Sequence, residues 1–167
     1  MSQTEQNVQA AFAGESQANR KYLAFAKKAD QEGYPQIARL FRAIGAAETI
    51  HAHGHLNVLR GVGSTVENLK AAVNGEIYEI KKMYPSFIEQ AHKEGEKRAA
   101  RSFEWALETE KVHEHLYAAA INTLESGTDL PTTDYYVCGV CGYTFEGKAP
   151  TKCPICGALQ KNFFKVE

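Results

Sequence analysis

Two stretches of the chain carry the same pattern of acidic and imidazole side chains. In the first, Glu15 is followed by Glu48-Thr49-Ile50-His51; in the second, Glu76 is followed by Glu110-Lys111-Val112-His113. The two intervals, 33 and 34 residues, nearly match, which marks an internal repeat. Positions i and i+3 share one face of a helix, so the Glu and His of each motif can point at one spot. One Glu from each of two helices, plus a Glu-x-x-His from each of two others, is the ligand set of di-iron and di-manganese helical bundles. Without cations the same carboxylates would repel one another in a low-dielectric interior. The repeat therefore restricts the chain to a fold that gathers helices around a pair of metal ions. Its catalytic and ligating candidates are Glu15, Glu48, His51, Glu76, Glu110 and His113.

An isolated Glu-x-x-His is weak evidence, because most single Glu side chains lie on solvated helix faces. Glu89-Gln90-Ala91-His92 fits the pattern, yet it lies 13 residues beyond Glu76 and on the opposite helix face, and is set aside. Glu79, three residues after Glu76, adds a fifth carboxylate on the ligand face. Tyr22 and Tyr117 stand seven residues after Glu15 and Glu110 and so return to that face, either as hydrogen-bond donors to ligand carboxylates or as core aromatics. His53, His55 and His115 read as surface residues or as neighbours of the ligands. Small residues, Ala13-Gly14 before Glu15 and Gly45-Ala46-Ala47 before Glu48, suit close helix approach.

Helical periodicity and punctuation supply the four helices. The first runs from about Thr4 to Glu32 and is stopped by Gly33-Tyr34-Pro35; Pro35 opens the second, which reaches about Arg60. Ser64-Thr65-Val66-Glu67 is a capping box. A third long helix is predicted over Gly75 to Lys93, bent near Pro85, and a fourth over Glu96 to Ser126. The expected organisation is an all-α four-helix bundle over residues 1–127, a linker over 128–134, and a small four-cysteine metal domain over 135–167.

All four cysteines lie in that tail, as Cys138-Gly-Val-Cys141 and Cys153-Pro-Ile-Cys156. Two Cys-x-x-Cys pairs in a chain with a polar start and no apparent secretion signal point to a metal rather than to disulfides. A tetrahedral thiolate set suits zinc or a single iron, and spacing alone favours structural zinc. A segment this short draws its stability from the metal it binds. Hydrophobic residues at 44% and charged residues at 23% exclude a disordered chain, and a net charge of -1 gives no electrostatic pull toward nucleic acid or an anionic membrane. No apolar run is long enough to span a bilayer, so a cytoplasmic location is expected.

The two cysteine knuckles, Cys138 to Tyr143 and Cys153 to Ala158, resemble those of rubredoxin. Together with Ala13-Gly14-Glu15-Ser16, Glu48-x-x-His51, Glu76-x-x-Glu79 followed by Met83-Tyr84-Pro85, and Glu110-x-x-His113, they resemble the rubrerythrin family over nearly the whole chain. The resemblance implies a ferritin-like bundle holding two iron ions and a rubredoxin-like domain holding one. It implies a hydrogen peroxide reductase, NAD(P)H-linked through a reductase or rubredoxin-type electron donor and serving oxidative-stress defence. Carried over, Glu48 and Glu110 bridge the irons, and Glu15, Glu76 and His113 are terminal ligands. Glu79 and His51 compete for one iron, and Tyr84 hydrogen-bonds near the site. The resemblance also favours iron over zinc in the four-cysteine site, zinc remaining a possible substitute, because an enzyme supplied with electrons has no use for a redox-silent ion.

Ferroxidase or iron handling is the alternative on the same bundle, and a zinc ribbon fused to a structural bundle is the non-enzymatic one. Ferritin-like bundles join their second and third helices by a long crossover, whereas Gly61 to Asn74 is short and partly helical. That shortness points to a homodimer in which helix pairs are exchanged between subunits.

Overall fold

The computed structural model describes residues 1–167. The chain divides into two compact units, Met1–Gly63 and Ser64–Glu167.

The first unit is a helical hairpin of α1 (Gln3–Gln31) and α2 (Pro35–Val58). Ser2 caps α1 by a reciprocal box: its Oγ accepts from the Glu5 N–H at 3.2 Å, and the Glu5 carboxylate accepts from the Ser2 N–H at 3.3 Å. Gly33 carries the turn at φ +82°, a conformation open to glycine at little cost, and Pro35 starts α2 where its missing N–H would have had no partner. Ala26, Ala29 and Ala38 are buried with Phe41 packed on them, so the helices meet through methyl groups and lie close. The Asn19 amide, buried, crosses that seam and donates to the Gly45 carbonyl at 2.7 Å and to Thr49 Oγ1 at 2.9 Å. Of the small residues expected to allow close approach, Gly45 does so, with Tyr22 and Leu23 atoms 3.7 Å from where a Cβ would stand; a Cβ on Gly14 would meet nothing within 4 Å.

The second unit contains α3 (Thr65–Tyr78), a π-helical turn over Glu79–Met83, α4 (Tyr84–Glu94), α5 (Lys97–Glu125) and a three-stranded sheet. Both α3 and α4 pack on α5. The strands β1 (Tyr135–Cys138), β2 (Thr144–Glu146) and β3 (Phe163–Val166) are antiparallel in the order β2-β1-β3. The third helix departs from expectation at two points. It begins at Thr65 rather than Gly75, because the Ser64–Glu67 capping box starts it and the residues that follow sustain it through the glycine. The bend expected at Pro85 is instead a wide turn just before it, in which the Tyr84 N–H reaches back five residues to the Glu79 carbonyl. A proline ring clashes with the carbonyl four residues upstream and offers no N–H, and a π turn there absorbs both defects. Gly95 ends α4 at φ +74°, as its position suggested.

Replacing Asn19 by Leu removes the side-chain bridge between the two helices of the hairpin near its metal-ligand level. The metal-free Asn19→Leu protein is expected to lose about 1–3 kcal/mol in chemical denaturation. An unchanged midpoint would show that alanine packing alone sets the register.

Candidate metal centres

In the hairpin, Glu15 projects from α1 and Glu48 with His51 from α2, and their ligand atoms lie within 4.8 Å of one another. His51 Nδ1 is 2.9 Å from a Glu48 oxygen. The register that brings them together is fixed by Asn19, one turn beyond Glu15, whose two acceptors, Gly45 and Thr49, bracket Glu48. The sequence reading passed over Asn19. Its signal was an Asn in a helix interior, where the side chain competes with the backbone unless tertiary partners hold it.

The second unit repeats the arrangement. Glu76 on α3 and Glu110 with His113 on α5 again place their ligand atoms within 4.8 Å of one another. His113 Nδ1 lies 2.6 Å from a Glu110 oxygen and 4.0 Å from one of Glu76. Each unit thus collects two carboxylates and one imidazole by itself.

In the second group, neighbouring carboxylates raise proton affinity. Burial, and then the neighbouring Glu110 charge, push the Glu76 carboxyl up from 4.5 to about 7. Glu79, carried on the π turn, is raised by burial and by Glu110. His113 is raised chiefly by its hydrogen bond to Glu110, against the opposing effect of burial. Tyr84 is raised by burial and by the charges of Glu79, Glu110 and Glu76, so its hydroxyl keeps its proton. A divalent cation reverses this balance by favouring every ionised carboxylate and the neutral imidazole.

Cys138, Cys141, Cys153 and Cys156 form the third group, all unpaired by disulfides. Sγ separations of 3.7 Å for Cys138–Cys156 and 3.6 Å for Cys141–Cys153 fit a tetrahedral ion, whose thiolate edges measure about 3.8 Å for a metal–sulfur bond of about 2.3 Å. Gly142 and Gly157 follow the second cysteine of each knuckle at φ +84° and +77°, closing the turns that wrap the sulfurs.

The first knuckle sits on α5. Thr109, buried beside Glu110, donates its hydroxyl to the Trp105 carbonyl at 2.8 Å and lies 3.3 Å from the Cys141 carbonyl. His113 Nε2 stands 3.0 Å from Thr144 Oγ1. Thr109 and Thr144 had no signal in the sequence, since threonine beside a ligand or a knuckle is unremarkable until the fold joins them. Tyr117 lines a cleft of about 370 Å³ with His113, Leu69 and Leu116, whereas Tyr22 packs its ring against Phe25 and Phe41. His53 and His115 are exposed, and Glu89 and His92 pair at the surface with Lys93 and Glu104.

The rubrerythrin family profile matches residues 6–121, and a profile described as the rubredoxin-like domain of rubrerythrin matches residues 136–164. The chain belongs to the rubrerythrin family. Rubrerythrin-2 of Clostridium acetobutylicum is 38% identical over 93% of this chain and 92% of its own. Nigerythrin of Nitratidesulfovibrio vulgaris is 41% identical over 92% of this chain and 81% of its own. A structure of nigerythrin in its fully reduced, all-ferrous state aligns with TM-score 0.58 and 37% identity, covering 99% of this chain and 88% of that one. The fold class read from the sequence, helical with a small C-terminal rubredoxin-like domain carrying four cysteines, therefore holds for this rubrerythrin-family chain. None of its helices is long and apolar enough to cross a membrane.

The raised groups set a pH dependence. Glu76 binds more protons folded than unfolded between about 4.5 and 7, so its contribution to stability falls as pH rises through that window. The raised His113 stabilises below its unfolded value and loses that contribution as pH climbs through its folded one. Metal requires both groups deprotonated. Thermal melts should show the metal-free protein weaker at pH 8 than at pH 6, and the gain on adding Fe²⁺ larger at pH 8. A metal-free protein more stable at pH 8 would contradict these assignments.

Proposed function

We propose that the chain reduces hydrogen peroxide to water at a di-iron centre, with electrons relayed through an iron held by Cys138, Cys141, Cys153 and Cys156. The observation that carries this reading is the pairing of two matched Glu-Glu-His groups with a four-thiolate site whose first knuckle rests on the helix bearing Glu110 and His113. Two ferrous ions held there would supply the two electrons that, with two protons, reduce hydrogen peroxide to two waters. Glu15, Glu48, Glu76, Glu110 and His113 would hold the ions, Glu48 and Glu110 as the carboxylates common to both. Glu79 and His51 would be the alternative ligands of one ion. Glu79 stands on the π turn and the His51 ring is exposed, its one hydrogen-bonding neighbour Glu48. Tyr84, its proton retained, orients the oxygen substrate by hydrogen bonding. A reductase or rubredoxin-type carrier, NAD(P)H-linked and cytoplasmic, supplies the electrons.

The working domains in this reading are the di-iron bundle over 1–127, the linker over 128–134 and the rubredoxin-like domain over 135–167. The bundle closes in a homodimer by exchange of helix pairs. Each unit holds half of the ligand set, the link after α2 is short, and the hairpin exposes Leu40 and Ile50 at 58% and 73%, apolar surface that a second copy would cover. Sedimentation should find a dimer when both irons are bound; a monomer with an intact di-iron site would overturn the exchange.

Glu110→Ala should abolish peroxide consumption. Cys138→Ser should leave a pre-reduced protein one turnover and block cycling, and normal cycling by that variant would remove the relay role. Comparing peroxide consumption with iron uptake under the same conditions separates this reading from a ferroxidase, which needs no electron supply.

A further inference from the structure

The two Glu-x-x-His motifs read alike, but their imidazoles are held differently. The His51 side chain is 57% exposed and its one hydrogen-bonding neighbour is Glu48. The His113 side chain is 26% exposed and is gripped from both sides: Nδ1 faces Glu110 at 2.6 Å, and Nε2 faces Thr144 Oγ1 at 3.0 Å. The direction of the second bond follows from its neighbours. Thr144 Oγ1 lies 3.3 Å from the Gly142 carbonyl, which can only accept, so the hydroxyl proton is directed there and the oxygen is left to accept from Nε2–H. The Gly142 carbonyl also faces the same ring. With Nε2–H engaged by Thr144, the atom left for a metal is Nδ1, which turns toward Glu110 and Glu76 and whose proton, donated to Glu110 when no cation is bound, a metal would replace.

We propose that Thr144, on the strand that follows the first cysteine knuckle, is a positioning residue that latches His113 in the metal-binding tautomer and makes it the fixed one of the two imidazoles. The latch is supplied by the cysteine domain, so the turn that wraps Cys141 also holds a ligand of the helical site. A ligand imidazole whose other N–H is anchored binds metal more tightly and in one orientation. His51, with no such partner, keeps the freedom its proposed exchange with Glu79 requires. This inference rests on His113 being a ligand, as the proposed function has it.

The test is Co²⁺ titration, against a competing chelator, of the full chain carrying zinc in its cysteine site, together with ¹⁵N NMR of the His113 ring. Thr144→Val should weaken Co²⁺ binding at the helical site about 10–100-fold and lose the signature of a proton fixed on Nε2. Thr144→Ser should restore both. His113→Ala serves as reference. If it weakens binding while Thr144→Val binds like the unaltered protein, the latch is wrong and the ligand assignment stands. If neither variant weakens binding, His113 is not a ligand and both readings fall. Should Thr144→Val fail to retain zinc, Thr144→Ala is compared with Thr144→Ser, and equal Co²⁺ affinity in those two overturns the latch as well.

Discussion

Carboxylates brought together away from water are the constraint on which the rest of this structure depends. Glu76, Glu79 and Glu110 crowd one another closely enough that burial and mutual repulsion hold protons on Glu76 near neutral pH. A folded chain has no reason to keep such a group for stability, since a carboxyl whose proton affinity rises on folding weakens the fold at higher pH. What makes the arrangement tolerable is a cation, and the three donors of each group have the chemistry to take one. The helices serve as rigid rails that hold charges at a spacing the chain alone would not choose.

Around that group, the devices that set geometry are neutral and small. Asn19 fixes the height of α1 against α2 by two hydrogen bonds, and Thr109 brings α5 against the first cysteine knuckle, its hydroxyl bonded to the Trp105 carbonyl and 3.3 Å from that of Cys141. Both are buried residues adjoining ligands, and both sit where helices or turns approach closely. Neutral partners suit this place because another charge would compete with the metal for the carboxylates.

Much of this was legible in the sequence because it is encoded locally. The duplicated Glu and Glu-x-x-His pattern, the two Cys-x-x-Cys pairs, the Ser64–Glu67 box and the stops at Gly33 and Gly95 each declare themselves within a few residues. The residues that escaped, Asn19, Thr109 and Thr144, act through partners 26 to 32 positions away, and a side chain of ordinary type gives no local sign of such a contact. The start of α3 was missed for a different reason: Gly75 looks like a boundary, but a glycine in mid-helix costs only about 1 kcal/mol and the surrounding residues outweigh it.

The π turn at Glu79–Met83 acts as a phase adjuster. In a uniform α-helix each residue advances about 100°, which would leave Tyr84, eight positions after Glu76, well off the acidic face. One residue taken up in the wider turn makes that interval behave as seven, and the phenol comes back over Glu76, Glu79 and Glu110, whose charges it feels. Winding the same residues as a plain α-helix would swing the phenol roughly a quarter-turn aside, whereas deleting one residue of the turn would regularise the helix and leave the phenol in phase. A one-residue gap at this point would therefore be nearly silent in the geometry, while the loss of the wide turn at constant length would carry the phenol off the acidic face.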